Sequence, residues 1–388
     1  MEDFSGNRSF LTPAFEMHLD GSPLGRRTLG DILDISFVDD LAAINSFEFT
    51  VNDWDPNQHE PVYSFPWDQN DGPRRYFDSD DTVPDLQPGA KLSLFLGYQD
   101  EGNLPQIMDG VVVSVATSFP SSGLPVAKIR VLDAFQQLLQ DTWVEGLFSG
   151  TPKEIVDQIC SANGVSVVWD TPDNEGEPAQ NMQLDGPLFD EVQSRAKDYG
   201  LSLITQQGAT GPELYLARPT PYDTAPVAIF EWGRSLIDFT PSLSSSALFG
   251  EIEGRGGDPN AETGKRSIIV SHTWDSADVD LDTKAFGAET FDISRLLGNA
   301  KEVIKPDDGD TEEKVAIAVN KRFLEMAEGM ITATGTVVGL PELRAGTVIE
   351  IAKAGRLYSG LYRITQSTHS YGASGYTTSF AATKKVLK

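Results

Sequence analysis

The chain has a single cysteine in 388 residues, Cys160, so no intramolecular disulfide can form and nothing in the sequence asks for an oxidising compartment. It lies in the helix-like run Glu154 to Cys160, where a small buried hydrophobe is the default reading. Histidine is nearly as scarce. His18, His59, His272 and His369 are far apart, and none belongs to an H-x-x-x-H or Cys/His ligand spacing, so no metal and no cofactor is expected. Long apolar runs are missing too. No stretch approaches the ~18 residues of a membrane span, and the first ten residues carry acids before their only arginine and lack an apolar signal core, so the chain reads as made in the cytoplasm without stable membrane insertion. Clustered cations are absent as well: no Lys/Arg run is longer than two residues, as in Arg26-Arg27, Arg74-Arg75 and Lys384-Lys385. With 30 Lys plus Arg against 58 Asp plus Glu, the net charge of −28 repels phosphate backbones, and no specific nucleic-acid binding is expected. Such a surface can still surround a polyanion in passage without holding it, and it equally serves plain solubility.

What is present is globular. Hydrophobic residues at 39% and charged residues at 23% are ordinary for a folded chain, and the length suggests roughly two to three domains. Residues 1–140 read as strands: Phe15 to Asp20, Ile32 to Val38, and Ser46 to Val51, which alternates apolar with polar as a half-buried strand should. Residues 53–88, rich in Asp, Pro, Asn and aromatics, read as a long loop. Three further strands follow, Leu92 to Leu96, Val111 to Val115 and Ala127 to Leu132. Over 141–230 the period changes to that of helices. Thr151-Pro152-Lys153-Glu154 is a capping box with proline at the first helical position, predicting a helix over 151–163 that ends at Gly164. A second helix is expected over Pro187 to Tyr199 with Gly200 as its cap, each followed by a short strand. This is a small α+β domain. Over 231–388 strands return around an acidic loop and one more helix, opened by Asp310 as N-cap with Glu313 and striped by Val315, Val319, Phe323 and Met326 before Gly329.

The two β segments resemble each other. Pro88-Gly89 leads into one strand, Asp109-Gly110 opens the next, and Gly123 precedes a third; Ala345-Gly346, Ser359-Gly360 and the Gly372 to Gly375 turn repeat that order. Gly89, Gly110, Gly346, Gly360 and Gly375 are therefore the turn glycines of a candidate repeated module, glycine being the residue that reaches positive φ without strain. Three-strand meanders with glycine corners are common, so the same spacing also arises without a repeat. If the repeat is real, three chains carry six modules, and a three-fold object presents a six-fold face.

These residues carry a family resemblance. Gly339-Leu340-Pro341-Glu342-Leu343-Arg344-Ala345-Gly346, then Tyr358 to Ile364, His369 and Gly375-Tyr376-Thr377-Thr378, are similar to the C-terminal signature of the phage late control D family, the baseplate hubs of contractile-tailed phages and the hub part of VgrG-type spike proteins. The Phe15 to Phe49 stretch, the Leu86 to Ala134 meander, the Thr151 helix and Ser235 to Pro241 fall in the family's order, so nearly the whole chain is covered. The resemblance implies a mainly β homotrimer with an α+β insertion, in which two tail-tube-like antiparallel β-barrel domains per chain, at 1–140 and 231–388, flank the small α+β domain at 141–230 and form a pseudo-hexameric ring. Its implied partners are the tail tube protein, a separate spike protein and other baseplate components, the spike being separate because this chain stops at Lys388. No enzyme activity is expected. Gly254 to Pro259 lacks the end of a phosphate loop and Asp278 to Asp282 lacks the glycine and glutamate of a calcium loop. The alternative is a tail-tip carbohydrate-binding protein or cell-wall hydrolase component, for which Trp54, Tyr63, Trp67 and Tyr76 would supply an aromatic platform.

Overall fold

A computed structural model of the chain describes residues 10, 12–41, 43–64, 75–76, 82–169, 179–198, 201–207, 212–217, 224–245, 248–257, 267–274, 297, 300–306 and 311–387. The chain forms two compact units, one made of residues 1–221, 337–346 and 366–379, the other of 222–336, 347–365 and 380–388.

In the first unit, β1 (Pro13–Leu19), β2 (Ser22–Pro23) and a short helix α1 (Arg26–Asp31) lead to β3 (Ile32–Asp40) and β4 (Ser46–Asn52). After the long loop come β5 (Lys91–Tyr98), β6 (Gln106–Ser118) and β7 (Val126–Asp133). The alternation in β4 works as read: Phe47, Phe49 and Val51 are fully buried while Ser46, Glu48 and Thr50 point away. These three buried side chains enter a common core with Met17, Ile35, Leu92, Leu94, Leu96, Ile129 and Val131. The sequence segment expected as an α+β domain follows: α2 (Ala134–Asp141), β8 (Trp143–Gly150), α3 (Pro152–Ala162), β9 (Val167–Trp169), β10 (Ala179–Pro187), α4 (Leu188–Asp198), β11 (Ser202–Gln207) and β12 (Pro212–Ala217). It has an apolar cluster of its own around Ile155, Ile159, Leu188, Val192 and Leu214. The capping box is formed, Thr151 Oγ1 accepting from the Glu154 amide at 3.2 Å and Glu154 accepting from the Thr151 amide at 2.8 Å. Thr151→Ala should cost about 1 kcal/mol, read as a lowered urea midpoint for this unit with an unchanged slope; an unaltered midpoint would show that the cap is idle.

In the second unit, β13 (Ile229–Glu231), β14 (Leu236–Leu243), β15 (Glu251–Gly257), β16 (Ser267–Thr273), β17 (Lys301–Ile304) and α5 (Glu312–Glu328) precede β18 (Ile331–Val338), β19 (Val348–Ala352), β20 (Gly360–Gly372) and β21 (Gly375–Lys384). Strands β18, β20 and β21 are long enough to contribute residues to both units. Helix α5 buries Val315, Val319, Phe323 and Met326, the predicted stripe, on the sheet β16-β15-β17, where Gly254 leaves room for Val315 and Val319. Its cap differs from expectation. Thr311, not Asp310, accepts the first-turn amide of Lys314, at 3.3 Å; Asp310 and the expected cap Gly200 lie outside the described residues.

The strand orders repeat. In the first unit the order is β1-β5-β6-β7-β4-β3; in the second it is β13-β19-β20-β21-β18-β14. Numbered along the chain within each set, both read 1-4-5-6-3-2. One pairing differs: β1 runs antiparallel to β5, whereas β13 runs parallel to β19. Both sheets are curled. Six strands laid flat span about 24 Å between their outer members, yet the carbonyl of Glu231 in β13 and the amide of Ser235, next to β14, are 3.1 Å apart. In the first unit Gln366 to Tyr371 of β20 pair with β3, and the ring of Tyr371 meets that of Phe15 in β1 at 4.9 Å, although these strands lie at opposite ends of the ladder. Among the described residues the hydrogen-bonded ladders do not close into a barrel; side chains and short links bring the edges together.

Candidate functional site

The predicted turn glycines divide by cause. Gly89, Gly346, Gly360 and Gly375 have φ of +100°, +87°, +130° and +97°, a region open to glycine at little cost. Gly110 departs from expectation. It lies inside β6 opposite Asp133, and a Cβ there would stand 2.4 Å from Val131 Cγ1, so what it supplies is close approach rather than a turn.

The aromatic platform is also corrected. Tyr63 and Tyr76 are buried, and a relay of hydroxyls joins them: Tyr63 donates to Asp31 Oδ2 at 2.5 Å and so accepts from Tyr76 at 2.9 Å, which in turn accepts from Thr28 at 2.9 Å. Burial, before any hydrogen bond, raises the pKa of both phenols. Arg27 lies 4.0 Å over the Tyr76 ring, and Asp53 accepts from the amides of Tyr63 and Ser64. These contacts tie Tyr63 and Tyr76 to helix α1. Trp54 is half-buried, and Trp67 lies outside the described residues.

The other candidates have structural partners. His18 packs on Phe95 at 4.6 Å, His59 lies beside Trp54 at 6.4 Å, and His272 stacks on Phe323 at 4.0 Å. Among the described residues no group of His, Cys, Asp and Glu is placed to hold a metal, and no helix is long and apolar enough to cross a membrane. Cys160 is buried in α3, where burial and then the Asp157 charge push its thiol up to about 12. Of the basic pairs, Lys384 is buried and bonds the Leu357 carbonyl. Gly254 to Gly257 are strand β15; Asp258, Pro259 and Asp278 to Asp282 lie outside the described residues.

Gly339 to Gly346, His369 and Tyr376 to Thr378 of the C-terminal signature converge on one place in the first unit, whereas Tyr358 to Ile364 belong to the second. His369, fully buried, has Nε2 at 3.1 Å from the Leu343 carbonyl. A carbonyl only accepts, so Nε2 carries the proton and Nδ1 accepts from Tyr376 Oη, at 2.8 Å. Thr378 Oγ1 accepts the Leu340 amide at 3.0 Å, and the Gly339 amide donates to the Tyr376 carbonyl at 2.9 Å, while the Gly339 carbonyl accepts from Tyr98 Oη at 2.8 Å. Arg344 donates to Asp39, bonds the Ile107 carbonyl at 3.2 Å, and lies 4.9 Å over the Phe37 ring. Desolvation first, then the Arg344 charge, lower the His369 pKa to about 3, so its ring is neutral at physiological pH. The chemistry is that of a lock: residues 339–346 are stitched to β3, β5 and β20.

Beside the lock is a cavity of about 660 Å³ lined by Leu41, Phe135, Leu138 and Leu203 together with Asp39, Asp109, Asp133 and Arg344. Each carboxylate already has work. Asp39 pairs with Arg344, Asp109 accepts from Ser93 at 2.6 Å, and Asp133 caps α2 by accepting from the Phe135 and Gln136 amides. Burial raises the Asp133 pKa against those two hydrogen bonds, with Asp109 and Asp39 adding repulsion. The Asp39–Arg344 pair, with its partners 305 residues apart, had no signal in the sequence beyond the place of Arg344 in the signature.

No protein-family model matches the chain, and no curated protein matches it. Solved structures do. The chain is similar to the 43 kDa tail protein of prophage MuSo2 from Shewanella oneidensis, with a TM-score of 0.64 and 15% identity over 96% of this chain and 98% of that one. It is similar to the tail protein from Neisseria meningitidis MC58, with a TM-score of 0.63 and 11% identity over 96% and 97%. A chain of the Francisella PdpA–VgrG complex matches with a TM-score of 0.53 and 7% identity, over 96% of this chain but 58% of that one. The fold is that of phage tail proteins.

Proposed function

We propose that this chain is a structural baseplate hub of a contractile tail or contractile injection system, a homotrimeric adaptor between a hexameric tail tube and a separate trimeric spike, in contact with other baseplate components. The observation that carries the reading is the duplicated strand order 1-4-5-6-3-2 on two curled sheets. Two equivalent tube-like barrel modules per chain let three chains meet a six-fold partner on one face and a three-fold partner on the other, because symmetric interfaces must match in number. The acidic surface, with its net charge of −28, suits a lumen that passes polyanions without retaining them. Phe119, Leu124, Trp143 and Leu147 are among the exposed apolar side chains available for partner contact. The role is one of assembly, without turnover or cofactor: the chain is made in the cytoplasm and ends in the particle. Burial of Tyr63 and Tyr76 removes two of the four aromatics that the carbohydrate-binding alternative required. The stoichiometry of the purified chain tests the reading: a closed species of three copies supports it, and a monomer at micromolar concentration, alone and with its partners present, removes it.

A further inference from the structure

The duplicated order exposes one asymmetry. Strand β20 is 13 residues long and has two partners on one side: its first half pairs with β19, from Val348↔Arg363 to Ile351↔Gly360, and its second half pairs with β3, from Gln366↔Asp40 to Tyr371↔Ile35. Its counterpart β6 is also 13 residues long, and its first half pairs with β5 in the same sense, from Phe95↔Gln106 to Lys91↔Val111. From Val113 to Ser118, however, β6 is bonded only to β7, and among the described residues its other edge carries no backbone partner. The strand that corresponds to β3 is β14. It is an end strand, bonded to β18 and, at its first residue Leu236, bridged to Trp232; among the described residues no other strand pairs with it. One molecule thus has an unfilled half-edge on β6 and an unfilled edge on β14, and β20 with β3 shows how the two would fit.

We infer that the second half of β6 in one copy pairs antiparallel with β14 of the next copy, so that the occupant of each free edge is a second copy of this chain. The inference rests on the proposed ring and specifies how it is closed. The edges suit each other chemically. Residues 115–127, which include the far end of β6, form a run without a charge in a chain of net charge −28, so two acidic copies approach there with least repulsion. An exposed apolar side chain lies at each edge, Phe119 just past the end of β6 at 63% exposure and Ile237 in β14 at 57%, and the pairing would cover both. The bridge from Leu236 to Trp232 and the missing amide of Pro241 confine the pairing on β14 to Ile237 to Thr240. A free strand edge is a ready template for another strand. Because β6 and β14 are different surfaces, the contact is head-to-tail; three such contacts alternate with the three β20–β3 pairings and close the ring instead of propagating a fibre.

Cysteines at Thr117 and Asp238, joined by a short bis-maleimide in the assembled protein, test the pairing, the native Cys160 being buried. The double variant T117C/D238C should give covalent species up to three chains on a denaturing gel, and neither single variant should exceed background. Thr117→Pro, at an exposed position of β6 whose amide faces away from β7, should lower the three-copy population at least tenfold with an unchanged circular dichroism spectrum. If three copies assemble but T117C/D238C does not cross-link and T117P assembles normally, the pairing is wrong while the ring stands. If the wild-type chain is monomeric, both are wrong.

Discussion

Replacing Gly339 by alanine should remove about 3 kcal/mol of stability, a large share of what holds a domain folded. A Cβ at this position would lie 2.1 Å from Tyr376 Cγ and 2.2 Å from Cδ1, well inside contact distance, so one of the two must move. Neither has room. Tyr376 is buried, its Oη is held by His369, its ring packs on that of Tyr98 at 5.8 Å, and its carbonyl accepts the Gly339 amide itself. The lock around residues 339–346 would open, and Leu343 and Arg344 would lose their alignment with His369 and Asp39. Gly30→Ala is the control, since a Cβ there meets nothing within 4 Å and alanine favours the helix. Urea unfolding at neutral pH should show a large fall for G339A and none for G30A. Equal midpoints for the two variants would mean that the glycine was accidental.

The second large effect is a loss of stability on acidification that traces to His369. Its folded pKa, about 3, lies below the 6.5 of an unfolded histidine, so between these values the unfolded chain binds a proton that the folded chain refuses. Stability from this group is therefore complete above about pH 6.5 and is lost as pH falls toward 3. At pH 5 the loss amounts to about 2 kcal/mol relative to pH 8, from linkage at the unfolded pKa. The geometry gives the reason. Nε2–H is committed to the Leu343 carbonyl, and a proton on Nδ1 would place a buried charge against the Tyr376 hydroxyl with Arg344 nearby. His369→Gln, which keeps a polar side chain, should be less stable at pH 8 but lose about 2 kcal/mol less between pH 8 and pH 5 than the wild type does. Parallel pH curves would assign the acid sensitivity to other groups.

Both effects sit in a segment whose identity was visible in the sequence while its work was not. The signature Gly339 to Gly346 with His369 and Gly375 to Thr378 could be read as a pattern, but nothing in linear order says that Gly339 faces Tyr376 or that Arg344 reaches Asp39. Strands with clean alternation, such as β4, and helices with a capping box, such as α3, were legible because their causes are local. Helices α1 and α2 were not, being six and eight residues long and set among strands. The repeat was half legible. Glycines at positive φ marked β5–β6–β7 and β19–β20–β21, whereas β3, β4, β14 and β18 complete the two modules through pairing between distant segments, which leaves no short-range trace. Gly110 shows the limit of turn rules, since the same residue answers a steric demand as well as a conformational one.

Native mass spectrometry of the purified chain tests the hub reading most directly. The account predicts a dominant species at three chain masses that survives dilution to low micromolar concentration and binds a second three-copy protein when co-expressed with a spike. A monomer, alone and with its partners present, would contradict it.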